Sequence, residues 1–242
     1  MTEKENQTPP AAITIPGFHA IMESILLKRF GSDWRGAVLD VGAGHGAFSH
    51  RLKNLRYRVS ACDMHEDLFQ LPDVEFKTAN VSEKIPWEDH TFDLVVALEI
   101  TEHVDGLMTF FREANRILKP GGYFFFSTPN ILSLKSRFRF LWTGFFYSFQ
   151  PLADSQADSV IDHITPLPFH LYHYRLKQCG FTFEEVTTDK WQRSSFFGLL
   201  FYPWIRLCTY LFFPHSSLAR QQNSLNCLLG RKLIVLARKT ES

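Results

Sequence analysis

Cysteine is scarce and scattered. The four, Cys62, Cys179, Cys208 and Cys227, form no C-x-x-C pair. That pattern argues against a disulfide framework and a zinc knuckle, and suits a reducing, cytoplasmic setting. An excess of charge is missing too: 26 Lys and Arg face 25 Asp and Glu, for a net charge of +1. Bulk electrostatics therefore disfavour a nucleic-acid partner. The first eleven residues are polar and contain proline, without an apolar stretch, so no secretory leader is expected. What the chain has in plenty is phenylalanine, 24 in 242 residues, unevenly placed. Residues 1–12 read as a disordered tail and 13–242 as one domain with insertions.

The most informative stretch is Ala37-Val38-Leu39-Asp40-Val41-Gly42-Ala43-Gly44-His45-Gly46. An apolar strand ends in an acid, passes three glycines at alternate positions, and leads into a helix over 47–54. Glycine tolerates positive φ and lets backbone approach a ligand with no Cβ between. A dinucleotide site uses G-x-G-x-x-G, with amides aimed at a pyrophosphate. Here the spacing is G-x-G-x-G with Asp40 beside it, which disfavours a pyrophosphate and favours a cationic ligand. S-adenosylmethionine, carrying a sulfonium and an ammonium but no phosphate, fits that description.

Beyond the turn, βα alternation continues. Strands are expected over 58–63, 74–79, 92–98, 123–127, 182–187 and 232–237, and helices over 17–30, 106–118 and 171–178. The run Phe92-Asp93-Leu94-Val95-Val96-Ala97-Leu98 has the nearly unbroken apolar character of a central parallel strand. Lys119-Pro120-Gly121-Gly122 reads as a helix stop. Such alternation implies a mainly parallel seven-stranded sheet with helices on both faces. Ligands of open α/β sheets bind beyond the carboxyl ends of the strands. That rule gathers Asp63, twenty-three positions after Asp40 and suited to two ribose hydroxyls, and Asn80 with the Val81 amide, suited to an adenine edge. A helix cap at Asp63 and an Asx turn at Asn80 are the structural alternatives.

Taken with Phe92-Asp93-Leu94-Val95, Glu99-Ile100-Thr101-Glu102-His103-Val104 and Leu118-Lys119-Pro120-Gly121-Gly122, these pieces occur in an order that resembles class I S-adenosylmethionine-dependent methyltransferases. The group in question includes the ubiquinone-biosynthesis O-methyltransferases, and the likeness covers residues 37–130. It implies a Rossmann-like fold and a set of roles. Gly42, Ala43, Gly44 and Gly46 would floor the methionine and ribose, Asp40 would reach the ammonium, and Asp63 would hold the ribose. Met64 or His65 would border adenine, and Leu98 and Glu99 would lie near the reacting methyl. Asn80 departs from the Asp that many members carry at its position.

Removing a proton from a hydroxyl acceptor calls for a base, and Glu99, Glu102 and His103 are the candidates, His103 titrating near neutrality. The E-x-x-E-H pattern also resembles a metal-assisted subset of the family, including small-RNA 2′-O-methyltransferases. That likeness implies Mg²⁺ or Mn²⁺, with His163 or His170 completing the site. The same residues would serve equally to cap and flank the helix beginning near Gly106, and the sequence alone assigns no metal.

Two stretches break the alternation: 131–168, on the acceptor side by family position, and 191–230. The first mixes Lys135, Arg137 and Arg139 with seven aromatics over 133–149; the second carries one charge, Arg206, over 196–213. Pro203 and Arg206, and a last strand that must rejoin the sheet, argue against a membrane span. A peripheral contact with the inner membrane face and a buried cap or dimer face both remain. The functional expectation is O-methylation of a small or lipid-linked acceptor, quinol- or glycolipid-like. A non-catalytic scaffold that keeps the fold, an NAD-dependent enzyme and an RNA methyltransferase are the alternatives. Composition sets no oligomeric state.

Overall fold

The computed structural model describes residues 9–152 and 162–241. Most of the tail expected over 1–12, and part of the first insertion, lie outside these residues. The sheet grows outward from β1 (Ala37–Val41), which pairs in parallel with β2 (Arg58–Asp63) on one side and β4 (Phe92–Leu98) on the other. On the β2 side β3 (Glu75–Thr78) forms the edge. Beyond β4 lie β5 (Leu118–Pro129), then β7 (Lys232–Lys239), then β6 (Phe181–Thr187) at the other edge, giving the order β3-β2-β1-β4-β5-β7-β6. Only β7 runs antiparallel, slotted between β5 and β6.

Side-chain alternation along the central strands divides two cores. Val38, Leu94, Val96, Phe125 and Ile234 face α1 (Phe18–Phe30), which buries Phe18, Met22 and Leu26 at near-helical spacing. Leu39, Val95, Ala97, Phe124, Phe126 and Val235 face the opposite way. There they meet α3 (Leu107–Ile117), whose Leu107, Phe110, Phe111, Ala114 and Ile117 form one stripe, and α5 (Phe169–Gln178), which supplies Tyr172 and Leu176. Helix α2 (Ala47–Asn54) follows the glycine turn and buries Phe48 and Leu52 beside α1.

One expected boundary moves. Lys119-Pro120-Gly121-Gly122 does not separate helix from strand, because β5 begins at Leu118, opposite Phe92. The register then slips before Leu94 meets Tyr123, so the four residues form an irregularity inside the strand pair. Gly121 sits there at φ 73°, a conformation open to glycine.

The two insertions have structure of their own. The first contains α4 (Leu134–Thr143). The second contains a 3₁₀ segment, Arg193–Phe201, running into α6 (Tyr202–Phe212), then α7 (Ser217–Gln222) and α8 (Leu225–Leu229). Ser133, Ser216 and Ser224 accept amide hydrogen bonds at the starts of α4, α7 and α8. Leu134, Leu228 and Leu229 form a small core with Phe138, Leu199, Tyr202 and Ile205. Asn130, buried just past β5, ties the roots of the insertions together: its amide donates to the carbonyls of Cys227 (2.7 Å) and Gly230 (2.8 Å).

Candidate active site

The glycine turn is held from β2. The amides of Gly42 and Ala43 both donate to the Cys62 carbonyl, at 2.8 and 3.1 Å. Gly42, Gly44 and Gly46 all take positive φ (70°, 50° and 86°). A Cβ on Gly42 would lie 2.0 Å from the Ile100 side chain, and one on Gly46 2.9 Å from the Phe69 ring. Asp63, at the carboxyl end of β2, is fixed by two backbone amides: Gly44 N–H donates to Oδ2 (2.8 Å) and His65 N–H to Oδ1 (3.1 Å). The carboxylate thus braces the turn while lining a cleft of roughly 170 Å³. Gly42, Met64, His65, Asn80, Val81, Ile100 and His103 share that lining.

Several expected contributors sit differently. Asp40 is buried and accepts from Ser49 Oγ at 2.6 Å, outside the cleft lining. Burial pushes its carboxyl up to about 7, with nearby Asp63 adding and Ser49 opposing. Leu98 packs on the α1 side of the sheet, so its side chain faces away from the cleft. Ala43 packs towards the small cluster of Ala61, Leu71 and Val74. Asn80 lines the cleft, yet its side chain is engaged in an Asx turn, accepting from Ser82 N–H (3.0 Å) and donating to Glu83 (2.9 Å).

Beside the cleft, Glu102, His103 and His163 converge, with one potential ligand atom from each lying within 4.8 Å of the others. The His103 and His163 rings are 4.8 Å apart. Nδ1 of His103 faces the Asp162 carbonyl at 2.9 Å, and Nδ1 of His163 faces the Ser148 carbonyl. A carbonyl only accepts, so each neutral ring carries its proton on Nδ1 and presents an Nε2 lone pair. Burial lowers the His103 pKa, opposed by the Asp162 hydrogen bond. Glu102 is 1% exposed. Its Oε2 accepts from Thr101 at 3.4 Å, while Oε1 is buried with no hydrogen-bond partner among the described residues. Burial raises its carboxyl to about 8.

One carboxylate and two Nδ1-anchored imidazoles make a donor set that suits a divalent cation. The orphaned Oε1 is the observation that favours such a fit, because a buried carboxylate oxygen ordinarily has a partner. Glu102 and His103 do not stand at the N-cap of α3, which is Gly106 and offers no side chain to accept the helix's first amides. Glu99 and His170 stand apart from the trio. Glu99 pairs with Lys232 Nζ and accepts from Thr14 at 3.4 Å. His170 is exposed at the start of α5, its Nδ1 2.7 Å from Gln222 Oε1.

Lys232 is the residue that sequence reasoning missed. It opens β7, is 6% exposed, and is pushed down to about 8 by burial. Its ammonium stands 4.7 Å from the Phe18 ring. Only the placement of β7 beside β5 brings it to Glu99, 133 positions away. A second unforeseen feature is the segment before α1. The Ala11 carbonyl meets His45 Nδ1 at 3.1 Å, and Ile13 reaches to 3.2 Å of where a Gly44 Cβ would lie, so this segment crosses the glycine turn.

Comparison with known proteins agrees with this geometry. Residues 39–126 match a family described as a methyltransferase domain. A ubiquinone biosynthesis O-methyltransferase of Hydrogenovibrio crunogenus is 33% identical over 113 residues, 43% of this chain and 47% of that protein. The chain thus spans about half the length of the curated relatives it matches. Among solved structures, a putative methyltransferase from Bacillus halodurans superposes with a TM-score of 0.57 at 16% identity, over 90% of this chain and 98% of that one. Phosphoethanolamine N-methyltransferase 2 of Haemonchus contortus, solved with S-adenosyl-L-methionine, gives 0.55 at 18% identity, over 90% and 52%. At these identities the structural likeness speaks for the fold. Sheet order, glycine turn and the match over residues 39–126 together give this chain a Rossmann-like class I methyltransferase fold built around a methyltransferase domain.

Proposed function

We propose that the protein transfers the methyl group of S-adenosylmethionine to a hydroxyl oxygen of a small or lipid-linked acceptor. The observation that carries this reading is a juxtaposition: the cleft lined by Gly42, Asp63, Met64, Asn80 and Val81 is also lined by His103, and His103 belongs to the cluster with Glu102 and His163. The printed activity of the relatives, O-methylation, supports an oxygen acceptor.

The cleft fits the cofactor by chemistry. Asp63, braced by two amides, keeps oxygen lone pairs for a ribose diol. Gly42 and Gly44 would give close backbone approach below the amino-acid part, and Met64 and Val81 apolar surface for adenine. When bound, S-adenosylmethionine supplies an electrophilic methyl on a sulfonium, so the protein's task is chiefly to orient an acceptor. His103 takes the hydroxyl proton at Nε2, which its anchored Nδ1–H leaves free. Its lowered pKa keeps the ring neutral, and able to accept, near pH 7. Glu102, His103 and His163 would alternatively hold Mg²⁺ or Mn²⁺, whose Lewis acidity acidifies a bound hydroxyl. The orphaned Glu102 Oε1 favours this second form.

Titration calorimetry with S-adenosylhomocysteine, followed by assays on catechol and quinol acceptors with EDTA or added Mn²⁺, tests both parts. Binding with turnover is the expected result. A folded protein that ignores S-adenosylhomocysteine would leave the fold as a scaffold and overturn the proposal.

A further inference from the structure

Both insertions leave the sheet at the edge that holds the site. α4 follows the carboxyl end of β5; the second insertion follows the carboxyl end of β6 and returns at Lys232, beside Glu99. Their inner faces share the small core around Leu134, and the Phe138 and Phe201 rings meet at 5.4 Å. Their outer faces are unusual. Phe197 (85% exposed), Leu200 (87%), Trp204 (65%), Leu207 and Leu211 follow one another at helical spacing along the 3₁₀ segment and α6, while Gly198, Ile205 and Thr209 turn inward. Trp142 (82%) and Leu141 extend the apolar surface from the end of α4. A helix washed by water carries polar residues on its outer face. Single exposed apolar residues need no explanation, but a continuous stripe does.

Charge says what covers it. Residues 131–152 and 190–230 contain no Asp or Glu, and with Arg137 engaged by Leu132 and Asn223, the cations left to the outer surface are Lys135, Arg139, Lys190, Arg193, Arg206 and Arg220. The acids of the first insertion, Asp154, Asp158 and Asp162, all follow residue 152 in the sequence. A second copy docked through this face would set cations against cations, whereas anionic headgroups complement them. Arg193–Phe212 is long and apolar enough to cross a bilayer. The insertion that carries it, however, is pinned at its two roots: Trp191 bridges Gly230, and Gln192 N–H donates to the Leu229 carbonyl at 2.8 Å. A segment so closed lies in the interface and does not span.

We propose that this face docks on an anionic phospholipid bilayer, with aromatic rings at headgroup depth and cations beside the phosphates. The contact reaches the candidate site. Tyr147 lies under the Lys135 ammonium at 3.6 Å, and two residues on, the Phe149 ring packs against His163 at 5.3 Å. An acceptor dissolved in the membrane would then enter the cleft without crossing water. The docking surface stands independently of the methyl-transfer reading; the lipid-borne acceptor rests on it.

The test uses the full chain with vesicles of phosphatidylcholine alone or mixed with phosphatidylglycerol. The protein is expected to sediment with the mixed vesicles at low salt, to be released as salt rises, and to ignore phosphatidylcholine. Brominated lipid should quench its Trp fluorescence. A Phe197→Ser/Trp204→Ser double variant, altered only at exposed positions and checked for an unchanged melting temperature, should lose at least about ten-fold in partitioning. Failure of the native chain to bind mixed vesicles at low salt, equal binding by the variant, or a lipid-free dimer that the variant dissociates would each overturn the proposal. S-adenosylhomocysteine binding, measured separately without lipid, tells failure of the methyl-transfer reading apart from failure of the docking face.

Discussion

Glu102 offers a prediction whose sign and size both follow from its surroundings. Its carboxyl ordinarily titrates near 4.5, and burial raises it to about 8. The folded, metal-free protein therefore holds Glu102 protonated at pH 5, and this contribution to stability is complete below the unfolded value. As pH rises, the unfolded chain ionises first, and stability falls until the folded group also ionises near pH 8. Each pH unit in that window costs about 1.4 kcal/mol, with a ceiling of roughly 5 kcal/mol across it. Glu102→Gln removes the titration while keeping the shape. It introduces an amide whose protons lack assured acceptors, a cost of about 1–3 kcal/mol. The variant should thus be less stable than the native protein at pH 5 and more stable at pH 8. Urea unfolding in EDTA at pH 5, 6, 7 and 8 reads the difference. Mn²⁺ should reverse the ranking at pH 8, because a cation at Glu102, His103 and His163 stabilises the ionised carboxylate of the native chain alone. Parallel stability curves for the two proteins in EDTA would refute the reasoning, since they would mean that Glu102 reaches water or a partner in the folded state.

The cofactor cleft and the cluster beside it make separate predictions. Asp63→Ala removes charge-assisted hydrogen bonds to a ribose and should weaken S-adenosylhomocysteine binding by about 1.5–3 kcal/mol, or about 10- to 150-fold, by calorimetry. Gly44→Val, at φ 50° and with Ile13 overhead, should abolish that binding. Gly121→Ala, at φ 73° in the β5 irregularity, should lower stability by about 1 kcal/mol and leave the affinity unchanged. His103→Ala should reduce turnover by about 10²- to 10⁴-fold with cofactor affinity nearly intact. Loss of native activity in EDTA with recovery in Mn²⁺ would assign His103 to a cation, and indifference to EDTA would assign it to proton transfer.

Much of the sheet is legible in the sequence because local patterns and tertiary surroundings agree there. The apolar run over 37–41 ends in a turn that only glycines populate freely, and the stripe of α3 repeats at helical spacing. Period-two alternation also contained the correction to Leu98. It has the parity of Leu94 and Val96, which face α1, so its side chain could not join the cleft on the opposite side. What local pattern does not encode is contact over distance. Residues 119–122 look like a stop wherever they occur; their absorption into β5 depends on pairing with β4. His163 and His170 are equivalent candidates by type and spacing. The difference arises because the Glu102 carbonyl accepts from the amides of Ile164 and Thr165, drawing His163 against His103, while His170 starts a helix that faces Gln222. Lys232 carries the same lesson further. Its charge opens a strand that reads as ordinary. The antiparallel insertion of β7 between β5 and β6 places the ammonium at the carboxyl edge of β4, where Glu99 would otherwise be a largely enclosed anion without a cation. The E-x-x-E-H motif is therefore divided by the fold, Glu99 neutralised from β7 and Glu102 with His103 left facing His163. The chemistry of the site depends on that division as much as on the motif.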